Sequence, residues 1–282
     1  MSELDHVVAR AEPGAPKPDP ILVVEDVRRS FGGLLAVDVD HLEVERNTIT
    51  ALIGPNGAGK TTLFNVLTGF DHATRGSWAF DGNPVAGLPA YRIARLGMIR
   101  TFQLTKSLAR LTVLDNMLLA APGQSGESLW RAPFGFWRVE ERANRVRAVA
   151  LLERFNLAAK QHDLAATLSG GQRKLLEMAR ALMVEPKLIM LDEPMAGVNP
   201  ALVQSLLEHI KALRDEGRTV VFVEHDMDVV MNISDWVVCL AEGQVIAEGP
   251  PASIVANETV IDAYLGTRHG PRPSAVDPGE VL

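Results

Sequence analysis

Gly54-Pro55-Asn56-Gly57-Ala58-Gly59-Lys60-Thr61 is the stretch that decides the fold. It satisfies G-x-x-x-x-G-K-[ST] at every fixed position, with an apolar strand (Ile49–Ile53) before it and a helical run (Thr61–Leu67) after it. Glycines let the backbone curl so that its N–H groups point inward at an anion, and the helix N-terminus adds partial positive charge at the same place. Lys60 brings a full charge to β- and γ-phosphates, and the Thr61 hydroxyl is a ligand for Mg2+. A glycine turn that merely contains a lysine has neither this spacing nor this setting.

Working outward, Ile21–Val27 and Leu34–Glu45 alternate apolar and polar residues, the pattern of half-buried antiparallel strands. Ser77–Phe80 and the Asp81-Gly82 pair predict a further strand and a tight turn. From about Thr101 to Thr167 the pattern becomes helical, over Thr112–Ala120 and Glu140–Phe155, with a Pro/Gly/Ser-containing loop over 122–136. Beyond it come a helix (Gly171–Met183), a buried strand (Leu188–Leu191), a helix (Pro200–Glu216) and a strand (Thr219–Val223). Trp236–Ala241 then turns through Glu242-Gly243 into Gln244–Ala247, and one or two short helices occupy Ala252–Leu265. Strands alternating with helices predict an α/β core with parallel strands. Residues 1–20 and 267–282, rich in Pro and charge, read as tails, and the first of them has no apolar core of the kind a signal peptide needs.

Two further motifs carry chemistry. Leu188-Ile-Met-Leu191 runs into Asp192-Glu193-Pro194, so Asp192 leaves the strand at its C-terminal end, where ligands of open α/β sheets bind. Asp192 would hold Mg2+ directly or through water, and Glu193 would polarise an attacking water as general base. Leu168-Ser169-Gly170-Gly171-Gln172 precedes a helix: Ser169 is a natural N-cap, and the glycines expose backbone N–H groups. That is a second anion site in a chain that already has one.

Composition excludes other classes. The 282 residues carry a formal net charge of −7, against the surplus of Lys and Arg that a general nucleic-acid binder needs. One cysteine, Cys239, permits neither a disulfide framework nor a cysteine metal cluster, and its apolar strand predicts simple packing. The longest unbroken apolar run, Trp236–Ala241, is six residues, far short of the roughly twenty of a membrane span.

Taken in order, the phosphate loop, LSGGQ, LIMLDEP and the lone His225 in Val-Glu-His-Asp resemble the ATP-binding-cassette (ABC) ATPases over about Ile21 to Gly266. The resemblance implies a P-loop NTPase (RecA-like) core with an antiparallel β-subdomain and a helical subdomain inserted at about 101–167. It implies a dimer in which each ATP lies between one cassette's phosphate loop and the other's LSGGQ. The nucleotide contacts would come from Phe31, stacking on adenine, and from Gly54, Pro55, Asn56, Gly57, Ala58, Gly59, Lys60, Thr61 and Thr62. Ser169, Gly170, Gly171 and Gln172 would contact it from across the dimer. Thr61, Gln103 and Asp192 would serve the metal, with Glu193, His225 and Gln103 acting in hydrolysis.

One position departs from the family pattern: Met195-Ala-Gly-Val-Asn199-Pro200 has Asn where the family usually has Asp. That Asn, with Phe31-Gly-Gly-Leu-Leu-Ala-Val37, Arg100-Thr-Phe-Gln103 and Ala263-Tyr-Leu-Gly266, resembles the ATPase subunits of branched-chain amino-acid importers. The implied partners are a second cassette, the same or different, integral membrane permease subunits and, indirectly, a solute-binding protein, with no nucleic acid. The implied place is the cytoplasmic face of the membrane. The nucleotide-site residues carry no information about the solute, so uptake of urea, an amide or another small solute, or lipid export, fits the same residues.

Overall fold

The computed structural model describes residues 11–101, 109–122 and 137–266. Its centre is a six-stranded sheet in the order β10-β9-β3-β8-β7-β6. The strands are β3 (Ile49–Ile53), β6 (Met98–Arg100), β7 (Leu188–Asp192), β8 (Thr219–Val223), β9 (Trp236–Ala241) and β10 (Gln244–Gly249). All neighbours are parallel except the β9–β10 hairpin. Every residue of β3, β7 and β8 is buried, as central parallel strands covered on both faces require.

Side-chain alternation divides this sheet between two cores. Ala51, Ile53, Ile189, Leu191, Val220 and Phe222 face one, built with α3 (Val113–Leu119), α4 (Trp137–Arg154), α5 (Gly170–Leu182) and α6 (Pro200–Asp215). Leu52, Leu188, Met190, Val221 and Val223 face the other, built with α1 (Lys60–Leu67) and a second, antiparallel sheet. That sheet has the order β2-β1-β4-β5, from β1 (Pro20–Phe31), β2 (Leu34–Glu45), β4 (Arg75–Phe80) and β5 (Asn83–Pro84). Its Asp81-Gly82 turn and the Glu242-Gly243 turn of the β9–β10 hairpin both have two consecutive residues at positive φ, the conformation that Asp-Gly and similar pairs favour.

The structure adds elements that the sequence pattern does not announce: α2 (Ala90–Leu96), β6 and α7 (Met227–Ile233). The chain also becomes ordered before Ile21. Within the stretch read as a tail, Ala15 and Lys17 are buried. The reason is Glu248 on β10, a fully buried carboxylate that needs donors and a counter-charge. Ala15 N–H donates to Glu248 Oε1 at 2.7 Å, and Lys17 Nζ lies 3.4 Å from that oxygen and 3.7 Å from the Trp236 ring centre. Residues 1–10 and 267–282 lie outside the described residues, as does most of the 122–136 loop. After β10 come α8 (Pro251–Val255) and α9 (Glu258–Gly266), which close the described chain. Among the described residues no helix is long and apolar enough to cross a membrane. Cys239 is buried, and burial pushes its thiol up to about 11.

Candidate functional site

The parallel register gathers the site. Leu52 on β3 pairs with Val223 on β8, and Val223 pairs with Asp192 on β7. The loops that follow these three adjacent strands therefore emerge side by side at one edge of the sheet. They carry the phosphate loop, Asp192-Glu193 and His225.

In the phosphate loop Gly54, Gly57 and Gly59 all have positive φ. Two of them also face backbone: a Cβ on Gly54 would lie 2.0 Å from the Leu240 carbonyl oxygen, and one on Gly59 would lie 2.3 Å from that of Ala36. Side chains are thus excluded there by sterics as well as by torsion. Ala58 N–H donates to the Pro55 carbonyl and Gly243 N–H to the Ala58 carbonyl, which tie the loop internally and to the β9–β10 turn. Lys60 Nζ donates to the carbonyls of Gly54 at 2.6 Å and Pro55 at 2.9 Å, which fold the ammonium over the loop. Burial draws the Lys60 ammonium below the usual lysine range, and the charges of Glu193, Cys239 and Asp192 oppose that shift. Asn56, Gly57 and Thr61 are exposed; Pro55, Gly59 and Thr62 are half-buried.

Asp192 is buried at the end of β7, and Arg100 on β6 bonds its Oδ2 through Nη2 at 2.6 Å. Glu193 follows in the left-handed region, φ +46°, a backbone state that costs a non-glycine residue about 1–3 kcal/mol and needs its surroundings to hold it. Two contacts do so: Glu193 N–H donates to the Val223 carbonyl at 3.1 Å, and Lys174 Nζ on α5 donates to the Glu193 carbonyl at 3.4 Å. His225 is open to solvent, its side chain 67% exposed. Its neighbour Glu224 is buried and accepts from Met195 N–H at 3.0 Å and His225 N–H at 3.4 Å. That carboxylate joins the segment after Glu193 to the segment carrying His225. Burial raises its pKa above the usual glutamate range, and the two backbone amides pull the other way.

Phe31, at the end of β1, is not a core residue: it is 48% exposed, with the Arg29 guanidinium 4.3 Å from its ring centre. A free aromatic face is what stacking on a base needs. Gln103 lies outside the described residues.

Ser169 caps α5 in a reciprocal capping box: its hydroxyl accepts from Gln172 N–H, and Gln172 Oε1 accepts from Ser169 N–H. Ser169 and Gly170 are exposed, whereas Gly171 is packed against α6, where a Cβ would meet Leu202 Cδ1 at 2.4 Å. Within one chain, then, this helix start lies against the 197–202 segment, and its outer residues face solvent. Asn199 caps α6, accepting from Ala201 N–H at 2.9 Å through its amide oxygen. An amide caps a helix about as well as a carboxylate does, so the departure from Asp preserves the local fold and changes the charge.

Three residues of the site sit inside quoted sequence stretches that assign them no role. Arg100 and Glu224 are described above. The third is Tyr264 on α9, whose hydroxyl accepts the Gly54 N–H at 2.8 Å. Its signal in sequence is the Ala263-Tyr-Leu-Gly266 stretch, which gives no hint of that contact.

Comparison with known proteins gives the family. The family described as ABC transporter matches residues 37–196, and the one described as branched-chain amino acid ATP-binding cassette transporter matches residues 244–270. The chain is 43% identical over 252 residues to the high-affinity branched-chain amino acid transport ATP-binding protein BraF of Pseudomonas aeruginosa, covering 88% of this chain and 98% of that one. It is 41% identical over 248 residues to the probable LivG of Archaeoglobus fulgidus, covering 88% and 96%. Among solved structures, a nucleotide-free ATP-binding cassette from an ABC transporter superposes with a TM-score of 0.77 at 35% identity, covering 87% of this chain and 98% of that one. A structure of the ADP conformation of an ATP-binding cassette of an ABC transporter gives 0.76 at 35% identity, covering 88% and 99%. With a family model over more than half of its length and curated relatives above 40% identity, the chain belongs to the ABC transporter family as an ATP-hydrolysing cassette.

Proposed function

We propose that this cassette powers uptake of branched-chain amino acids through membrane permease subunits, to which it docks at the cytoplasmic face. The observation that carries the solute class is the match of residues 244–270 to the branched-chain cassette family. That segment reaches the nucleotide site, because α9 touches the phosphate loop through Tyr264. The relatives named for branched-chain amino-acid transport support the same reading over most of the chain.

The nucleotide would be MgATP. Among the described residues no group of three or more His, Cys, Asp or Glu side chains could hold a metal. Thr61 and Asp192 offer one hydroxyl and one carboxylate, a partial set of hard oxygen ligands, completed by phosphate oxygens and water. That donor set fits Mg2+ arriving with a triphosphate, with Gln103 as a further ligand. The bound ion would offset phosphate charge during hydrolysis. Lys60 would exchange its bonds to Gly54 and Pro55 for phosphate oxygens, Glu193 would take a proton from the attacking water, and His225 would contact the γ-phosphate. The exposed Ser169 and Gly170 would meet ATP held by a second cassette, identical or different, so each dimer would hold two nucleotides.

The test is reconstitution of the cassette with its permease subunits and solute-binding protein in vesicles. Leucine, isoleucine or valine should stimulate ATP hydrolysis and be accumulated. Stimulation by urea or an amide with no response to leucine would overturn the solute assignment and leave the ATPase assignment standing.

A further inference from the structure

Arg100 pairs with Asp192 at the end of β7 and, unlike Asp192, has no part in the mechanism above. Both side chains are nearly enclosed, Arg100 at 6% and Asp192 at 8% exposure. The guanidinium works as a fork. Nη2 donates to Asp192 Oδ2 at 2.6 Å, and Nη1 donates to Asn65 Oδ1 at 2.5 Å. Asn65 lies on α1, the helix that begins with Lys60 and Thr61. The Phe64 ring, also on α1, is 5.6 Å from the guanidinium carbon. One side chain from β6 thus bolts the helix that carries the Thr61 hydroxyl to the strand end that carries the Asp192 carboxylate.

We infer that Arg100 is a positioning residue for the metal: it fixes the Asp192 carboxylate by one oxygen and sets its distance from Thr61. With Oδ2 engaged, Oδ1 makes no hydrogen bond among the described residues and is the oxygen left for the metal shell. A planar, two-pronged donor is needed for this, because a lysine ammonium presents a point charge without the fixed fork. The guanidinium also supplies the counter-charge that a buried carboxylate requires when no cation is bound. The inference rests on the MgATP reading above.

The test is binding of a fluorescent ATP analogue to the full chain, first in excess chelator and then across a Mg2+ titration. For Arg100→Gln the Mg2+ midpoint should rise about tenfold, a typical size for losing a residue that orients a metal ligand. Affinity without Mg2+ should stay within twofold of wild type. Arg100→Lys, which keeps the charge and loses the fork, should raise the midpoint at least threefold, and it decides the matter if Arg100→Gln does not fold. Asn65→Ala should shift the midpoint in the same direction by less. An unchanged midpoint in a folded Arg100 variant overturns the inference, as does an equal loss of Mg2+-free affinity, which would mark a general structural role. If wild-type protein binds the analogue with no dependence on Mg2+, the underlying metal assignment fails instead.

Discussion

Glu193 and Glu224 are two carboxylates close to one site that their surroundings treat differently. Glu193 is half-buried, and its backbone is pinned in a left-handed turn by β8 and α5. Glu193→Gln keeps the size and one acceptor oxygen and removes the proposed base. Hydrolysis should fall by about 10²–10⁴-fold, while ATP still binds and a nucleotide-closed dimer accumulates on size exclusion. Wild-type turnover in that variant would displace Glu193 from its role.

Glu224 is held above the ordinary glutamate range by burial. Its native form therefore keeps a proton that the unfolded chain releases from about pH 4.3 upward. Across the window from that value to the raised native one, the unfolded state binds fewer protons, so this residue's contribution to stability declines as pH rises. Glu224→Gln removes the titration and keeps an acceptor for Met195 N–H. The denaturant midpoint of the variant, relative to wild type, should become more favourable as pH rises from the ordinary glutamate value through the raised native one. An offset that stays constant as pH rises above the ordinary glutamate value would contradict the assigned direction.

At the scale of elements, what was legible in the sequence followed local chemistry. The phosphate loop, the capping box and the two turns at Asp81-Gly82 and Glu242-Gly243 depend on residues within a few positions of each other, and motif reading reaches them. The strands β3 and β8 come out with the bounds that their apolar runs suggest. By contrast α2 buries Ile93 alone, leaving no periodic stripe to read, and β6 is three residues long. The hidden parts of the site share one cause. Arg100 meets Asp192 across 92 positions, Glu224 meets Met195 across 29, and Tyr264 meets Gly54 across 210. No spacing rule links such pairs before the sheet order is known.

The contact made by α9 can be measured. Tyr264→Phe removes the acceptor of the buried Gly54 N–H and keeps the ring. An unsatisfied buried donor costs about 1–3 kcal/mol, and the loss falls at the base of the phosphate loop. ATP affinity should drop several-fold together with a lower melting temperature, read by nucleotide titration and thermal denaturation. Unchanged affinity with a lowered melting temperature would confine Tyr264 to stability.

For the whole molecule, the segment before β1 matters more than its composition suggests. Lys17, lodged between Glu248 and Trp236, fastens residues 11–19 to the edge of the central sheet. Removing one partner of a buried pair strands the other, at a cost of about 3–5 kcal/mol. Lys17→Met alone should destabilise by that order in chemical denaturation, and the double change Lys17→Met with Glu248→Leu should recover most of it. Equal destabilisation by the single and double variants would show that the charge pairing is not what holds the segment.

Among the described residues the central sheet contributes to both cores, and this has a bearing on movement. A shared layer buried on both sides is the last part of a protein to open, so the amides of β3, β7 and β8 belong to the slowest-exchanging class. The phosphate loop, Asp192 and His225 all hang from the ends of those three strands. Their relative spacing is anchored in the stiffest part of the molecule, while α3, α4 and the signature helix α5 lie together on one outer side. Exchange should therefore spread inward from the surface, with the amides of α3 and α4 opening before those of the strands that carry the site.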